Sequence, residues 1–139
     1  MIYLDSSALL KLLVEEAESE ALATWLTEYS EERAGTGGVA AVSSDLARVE
    51  VVRAARRLNP QAVASARTLV AQLDLVPLSR EVVDLAADLG EPGLRSLDAL
   101  HLASALLLGG DLDVVVVYDQ RLSAAAQDAG LAVVHPGAG

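Results

Sequence analysis

The chain has 139 residues, 53% of them hydrophobic and 22% charged, a globular composition with material for a buried core. It contains no Cys, which excludes disulfides, thiol nucleophiles and cysteine metal sites. Ten basic residues against twenty acidic ones give a net charge of −10, which argues against a general nucleic-acid-binding surface and favours a basic partner.

The run Met1-Ile2-Tyr3-Leu4 reads as an opening strand that ends at Asp5. Ser7 to Val14 predicts a short helix, and Glu18 to Tyr29 a second, more acidic one. Glu31 to Gly38 is a loose connector whose glycine cluster lacks the Lys and spacing of a phosphate-binding loop. Val39-Ala40-Ala41-Val42 predicts a second strand, after which Ser43 or Ser44 caps a helix reaching about Leu58. Asn59-Pro60 closes that helix and opens the next, from Gln61 to Leu73. Leu75 to Leu78 is a short strand, and Ser79 caps a helix to about Leu89. Gly90, Pro92 and Gly93 break the chain before a very apolar helix that starts at Ser96 and stops at Gly109-Gly110. Val114 to Tyr118 is continuously apolar and β-branched, as expected for a strand covered on both faces. Arg121 to Ala129 is helical, and Leu131 to Val134 forms the last strand.

Five short strands separated by helices imply a parallel sheet with helices on both faces, a three-layer α/β/α domain spanning 1–139. The longest apolar stretch, Ala99 to Leu108, is interrupted by His101 and Ser104 and falls far short of the roughly 20 residues that cross a membrane. No positively charged leader precedes Ile2, so a cytoplasmic location is expected.

Four acidic residues stand beside stiff apolar segments: Asp5, Glu50, Asp98 and Asp119. Asp5 and Asp119 each follow a strand, and in parallel α/β sheets ligands sit outside the carboxyl ends of strands. Either residue would equally serve as a helix cap. Glu50 has Leu46, Ala47 and Ala54 as its helical neighbours, and glutamate is rarely buried unless paired or bound to metal. Its plainer role is an ion pair with Arg53 or a side chain that reaches back to water. Asp98 lies in the first turn of its helix, where the macrodipole favours a carboxylate. His101, three residues on, reads as a satisfied core residue rather than a ligand or base.

Two carboxylates about 4 Å apart repel by roughly 4 kcal/mol at an effective dielectric of 20, so a cluster of four calls for a cation. Oxygen-only ligands favour Mg²⁺ or Mn²⁺ over Zn²⁺. Nine of the ten basic residues are Arg, and Arg48, Arg53, Arg56 and Arg57 share one helical stretch, a candidate phosphate-contacting face for RNA.

Four stretches resemble PIN-domain ribonucleases of the VapC toxin type. Leu4-Asp5-Ser6-Ser7-Ala8-Leu9-Leu10-Lys11 resembles their opening, and Ser44-Asp45-Leu46-Ala47-Arg48-Val49-Glu50 their second acidic motif. Leu97 to Ala103 resembles the third, and Val117-Tyr118-Asp119-Gln120-Arg121-Leu122 the fourth. The resemblance implies a Mg²⁺-dependent endoribonuclease, the toxin of a toxin–antitoxin pair, with Asp5, Glu50, Asp98 and Asp119 lining the site. It implies Asp5, Asp98 and Asp119 as metal ligands, with Ser7 orienting a carboxylate or a water. It also implies a homodimer inhibited by a cognate antitoxin whose tail places a basic side chain near the acidic site. Val117 departs from the pattern, since relatives frequently carry Thr or Ser there. An aspartyl-phosphate enzyme is disfavoured because Ser7 stands where such phosphatases carry a second Asp. The remaining alternative is a catalytically inactive module of the same fold that binds RNA or a protein partner.

Overall fold

A computed structural model of the chain describes residues 1–138. One sheet holds β1 (Ile2–Leu4), β2 (Ala41–Ser44), β3 (Asp74–Val76), β4 (Val114–Val116) and β5 (Val133–Val134), in the spatial order β3-β2-β1-β4-β5. Every pairing is parallel. The helices are α1 (Ser6–Leu13), α2 (Ser19–Glu32), α3 (Asp45–Arg56), α4 (Pro60–Ala71), α5 (Arg80–Asp88), α6 (Ser96–Leu106) and α7 (Gln120–Asp128).

Strand side chains alternate between faces, and the two core clusters follow that alternation. Ile2, Leu4, Val114 and Val116 point to one side, where Leu9 of α1, Leu22 of α2, Val51 of α3 and Ala66 of α4 cover them. Tyr3, Val42, Val115 and Val117 point to the other, against Leu102 of α6 and Leu122 of α7. A third cluster joins α5 to α6 through Val82, Ala86, Ala99 and Ala103. The expected three-layer architecture is therefore present. With no Phe to fill space, the core closes on alanine: Ala8, Ala47, Ala55, Ala66 and Ala103 are each 0% exposed. Small side chains bring helix backbones close to the sheet at native packing density.

The second strand lies two residues later than its apolar run suggested. Ala41 to Ser44 form it, because Ser43 Oγ donates to Leu4 O at 2.6 Å, while Ser44 ends the strand and caps α3 through Leu46 N. The third strand is Asp74–Val76 rather than Leu75–Leu78, since Pro77 has no N–H for a ladder. The fourth ends at Val116, two residues short of Tyr118, whose N–H turns to Ser7 Oγ at 3.2 Å. The fifth is only Val133–Val134, and α3 stops at Arg56 rather than near Leu58. Two 3-10 turns, Ala34–Thr36 and Gly109–Asp111, lie within stretches read as connectors. Among the described residues, no helix is long and apolar enough to cross a membrane.

Candidate active site

The sheet reverses its direction of growth between β1 and β4. From β1 the chain builds outward to β2 and β3, then returns to place β4 on the opposite side of β1. Such a switch point opens a crevice beyond the carboxyl ends of the two strands. Asp5 follows β1 directly, and Asp119 lies just after β4. Both cap helices: Asp5 Oδ1 accepts from Ala8 N at 3.0 Å, and Asp119 Oδ1 accepts from Leu122 N at 2.9 Å. Asp98 is in the first turn of α6. The positive ends of α1, α6 and α7 thus each carry one of these carboxylates, an arrangement that favours negative charge there.

Asp5 is 4% exposed, and Ser7 Oγ donates to its Oδ1 at 2.6 Å. The same Ser7 oxygen accepts from Tyr118 N, so Ser7 ties the end of β1 to the backbone just before Asp119. Burial pushes the Asp5 carboxyl above the usual range against the pull of these hydrogen bonds, and the negative charge of Asp98 adds to the rise.

Glu50 projects from α3 and is held by residues from two other helices. Ser6 Oγ donates to Glu50 Oε1 at 2.5 Å, and His101 Nε2 lies 2.7 Å from the same oxygen. Burial would raise its carboxyl, but the hydrogen bonds from His101 and Ser6 together outweigh it and hold Glu50 below the ordinary range. The ion pair with Arg53 weighed from the sequence is not among its contacts in the described residues.

Asp98 has the opposite environment. Its Oδ2 is shut off from solvent and accepts no hydrogen bond. Burial raises its carboxyl, and the charge of Asp119 raises it further, against the partial relief from Arg95. Arg95 reaches both carboxylates, with Nε 3.5 Å from Asp98 and a terminal nitrogen 3.4 Å from Asp119. At 68% exposed, that guanidinium is a loose counterion.

These features suit a hard, hydrated divalent cation. The free donors are carboxylate oxygens, one of them without a hydrogen bond, and two of the carboxyls are pushed toward protonation by burial and then by neighbouring negative charge. Among the described residues, no three carboxylate, imidazole or thiol groups converge tightly enough to enclose a metal. Mg²⁺ and Mn²⁺ keep several waters, take one or two carboxylates and need no closed all-protein cage. His101 is committed to Tyr3 and Glu50, which leaves no nitrogen ligand for zinc.

The arginines of α3 lie apart from this cluster. Arg48, Arg53 and Arg56 rim a groove with Arg67 of α4, floored by Val52, Val70 and Leu75, while Arg57 does not line it. Arg48 is paired with Asp45 at 3.2 Å.

A family model described as PIN domain matches residues 2–128. Ribonuclease VapC47 of Mycobacterium tuberculosis is 44% identical over 139 residues, covering 99% of this chain and 98% of that protein. The chain belongs to the PIN-domain family, as a member of the VapC type. Another VapC relative, Ribonuclease VapC35 of the same species, is 42% identical over 99% of this chain and 98% of its own. Two solved VapC structures share the fold at low identity. The M. tuberculosis sarcin–ricin loop cleaving toxin VapC20 has a TM-score of 0.70 at 17% identity, over 98% of this chain and 100% of that one. VapBC2 of Rickettsia felis, bound to a DNA fragment from its promoter, has a TM-score of 0.72 at 11% identity, over 98% and 99%.

The structure adds four residues to the VapC-type cluster that motif reading passed over: Tyr3, Ser6, Arg95 and His101. Three of them had a signal, since Ser6 adjoins Asp5 while Arg95 and His101 flank Asp98 at three residues on either side, whereas Tyr3 reads only as a strand residue.

Proposed function

We propose that this chain is a divalent-metal-dependent endoribonuclease, the toxin of a toxin–antitoxin pair. The observation that carries the reading is Asp98 Oδ2, which is shut off from solvent, accepts no hydrogen bond and has only the loose Arg95 guanidinium at 3.5 Å against the charge of Asp119 and Glu50. The near full-length likeness to VapC ribonucleases supports RNA as substrate. By the family pattern Asp5, Asp98 and Asp119 are the candidate ligands of Mg²⁺, or Mn²⁺ in its place, with one or two binding it directly and the rest through its waters. When bound, the ion neutralises charge on a scissile phosphodiester and makes a water more acidic. Ser7 Oγ and Ala8 N both donate to Oδ1 of Asp5, which leaves Oδ2 as its free oxygen among the described residues. Glu50, ionised through its hydrogen bonds, accepts a proton from the attacking water. Arg95, already astride two carboxylates, is placed to exchange them for a phosphate oxygen when the cation arrives.

Further parts of the reading rest on the family. Residues 1–139 act as one PIN-like unit, in the cytoplasm and as a homodimer, with a cognate antitoxin as inhibitor. A net charge of −10 suits a basic inhibiting segment. Arg48, Arg53, Arg56 and Arg57 supply RNA-backbone contacts that the rest of this acidic surface does not.

The test is cleavage of a panel of structured RNAs, tRNAs included, with and without Mg²⁺ or Mn²⁺. Metal-dependent cuts that vanish in Asp5→Asn and Asp98→Asn are expected. Absence of both cleavage and metal binding would leave the inactive module as the better reading.

A further inference from the structure

The hydrogen bonds on Glu50 continue inward. Tyr3 of β1 and His101 of α6 are 1% and 2% exposed, with rings edge to face and centroids 5.9 Å apart. Tyr3 Oη lies 2.7 Å from His101 Nδ1, His101 Nε2 lies 2.7 Å from Glu50 Oε1, and Ser6 Oγ lies 3.1 Å from Nε2. Four elements, β1, α1, α3 and α6, each contribute one member.

The hydrogens on this chain are constrained by what each atom can do. Ser6 has one hydroxyl hydrogen, and it goes to Glu50 at 2.5 Å. An ionised carboxylate only accepts, so the short Nε2 contact requires the imidazole hydrogen to be on Nε2. With one hydrogen on the ring, Nδ1 is then the acceptor and Tyr3 its donor, whereas a second hydrogen on Nδ1 would reverse that bond. Two donors therefore converge on Oε1 of Glu50, and among the described residues none reaches Oε2.

We infer that Tyr3 and His101 are positioning residues, which fix the Nε2–H form of the imidazole and so hold Glu50 with Oε1 saturated and Oε2 as its one free acceptor. A carboxylate held this way presents a single oxygen to a water, in one orientation. A ring with its hydrogen on Nδ1 would turn a lone pair toward Oε1 and drive Glu50 out of place. The role in hydrolysis rests on the ribonuclease reading, whereas the hydrogen arrangement does not.

The test has two arms on the full chain. Long-range proton–nitrogen correlation of the His101 ring, on metal-free wild-type protein, should show a neutral ring with hydrogen on Nε2. Hydrogen on Nδ1, alone or with Nε2, would overturn the inference. In the second arm, Tyr3→Phe should mix the ring forms and lower kcat about tenfold with KM for RNA little changed, in line with losing an outer-shell partner. His101→Leu should lose more, and His101→Gln, whose amide can donate to Glu50, should recover most of that loss. Unchanged kcat in Tyr3→Phe and His101→Leu would overturn the positioning role. If His101→Leu fails to fold, Tyr3→Phe, which removes one hydroxyl, decides. Wild-type protein that cuts no RNA yet shows the Nε2–H ring and its loss in Tyr3→Phe would overturn the ribonuclease reading and uphold the hydrogen arrangement.

Discussion

His101 Nε2 and Glu50 Oε1 meet at 2.7 Å although 51 residues separate them in sequence. The contact joins α6 to α3 and gives the site two unlike halves. On one side Glu50 is supplied with donors and stays ionised. On the other, Asp5 and Asp98 are raised toward protonation by burial and by the negative charge of their neighbours. The predictions below use that contrast.

Without metal, Asp98→Asn should stabilise the protein, since it removes a half-buried charge that is repelled by Asp119, accepts no hydrogen bond at Oδ2 and is offset only by an exposed Arg95. Adding Mg²⁺ at about 100 times its Kd should stabilise wild type by about 2.7 kcal/mol. The variant should show little of that rise. Thermal melts with chelator and with Mg²⁺ measure both, and an equal metal-induced shift in the two proteins would remove Asp98 from the ligand set.

Stability should depend on pH in two opposed ways. Asp5 and Asp98 have folded-state pKa values above their unfolded value of 3.8, so their contribution is greatest below that value and is lost as pH rises through the folded ones. Glu50 has a folded value below 4.5, so its contribution is present above 4.5 and is lost as pH falls through the folded value. Metal-free protein should therefore lose Tm as pH rises above 3.8 through the folded values of Asp5 and Asp98. Asp5→Asn should flatten that limb and leave the acid limb intact.

Arg95→Ala should tighten divalent-cation binding, because the guanidinium competes for Asp98 and Asp119. An exposed ion pair is worth up to about 1 kcal/mol, so Kd should fall by no more than about fivefold. Calorimetric Mn²⁺ titration reads this without any RNA. Weaker binding in the variant would contradict competition.

Replacing Arg48, Arg53, Arg56 and Arg57 together by Ala should weaken RNA binding and flatten its salt dependence, each lost phosphate contact reducing the slope by about one. Because Arg57 stands outside the groove that the other three rim with Arg67, Arg57→Ala alone should change least. Affinity measured across a salt series separates these cases. An unchanged slope in the quadruple variant would exclude the track.

Much of this arrangement was legible because it follows from local pattern. A β-branched run such as Val114 to Val116 can hardly be other than a covered strand, and carboxylates at strand ends announce a crevice. Less legible was anything decided by a distant polar partner. The apolar surroundings of Glu50 signalled burial, yet periodicity offers only neighbours on the same helix, so Arg53 stood in for His101. The misplacement of β2 has the same origin, since Ser43 belongs to the strand through a bond to Leu4 O across the sheet. His101 read as core, and it is buried, but the sequence did not disclose that Tyr3 and Glu50 lie at its two nitrogens.

The pairing of Ile2 with Val114 and of Leu4 with Val116 also sets an order of events during synthesis. Asp5 is made about a hundred residues ahead of the strand beside it, and Asp119 follows that strand. At about 5–20 residues per second, a nascent chain spends several seconds with its first carboxylates exposed and no crevice around them. A chain that cuts RNA is thus inert for most of the time it is tethered to a machine built of RNA. Products truncated before β4 lack the central strand pair, and an interrupted translation yields no toxin.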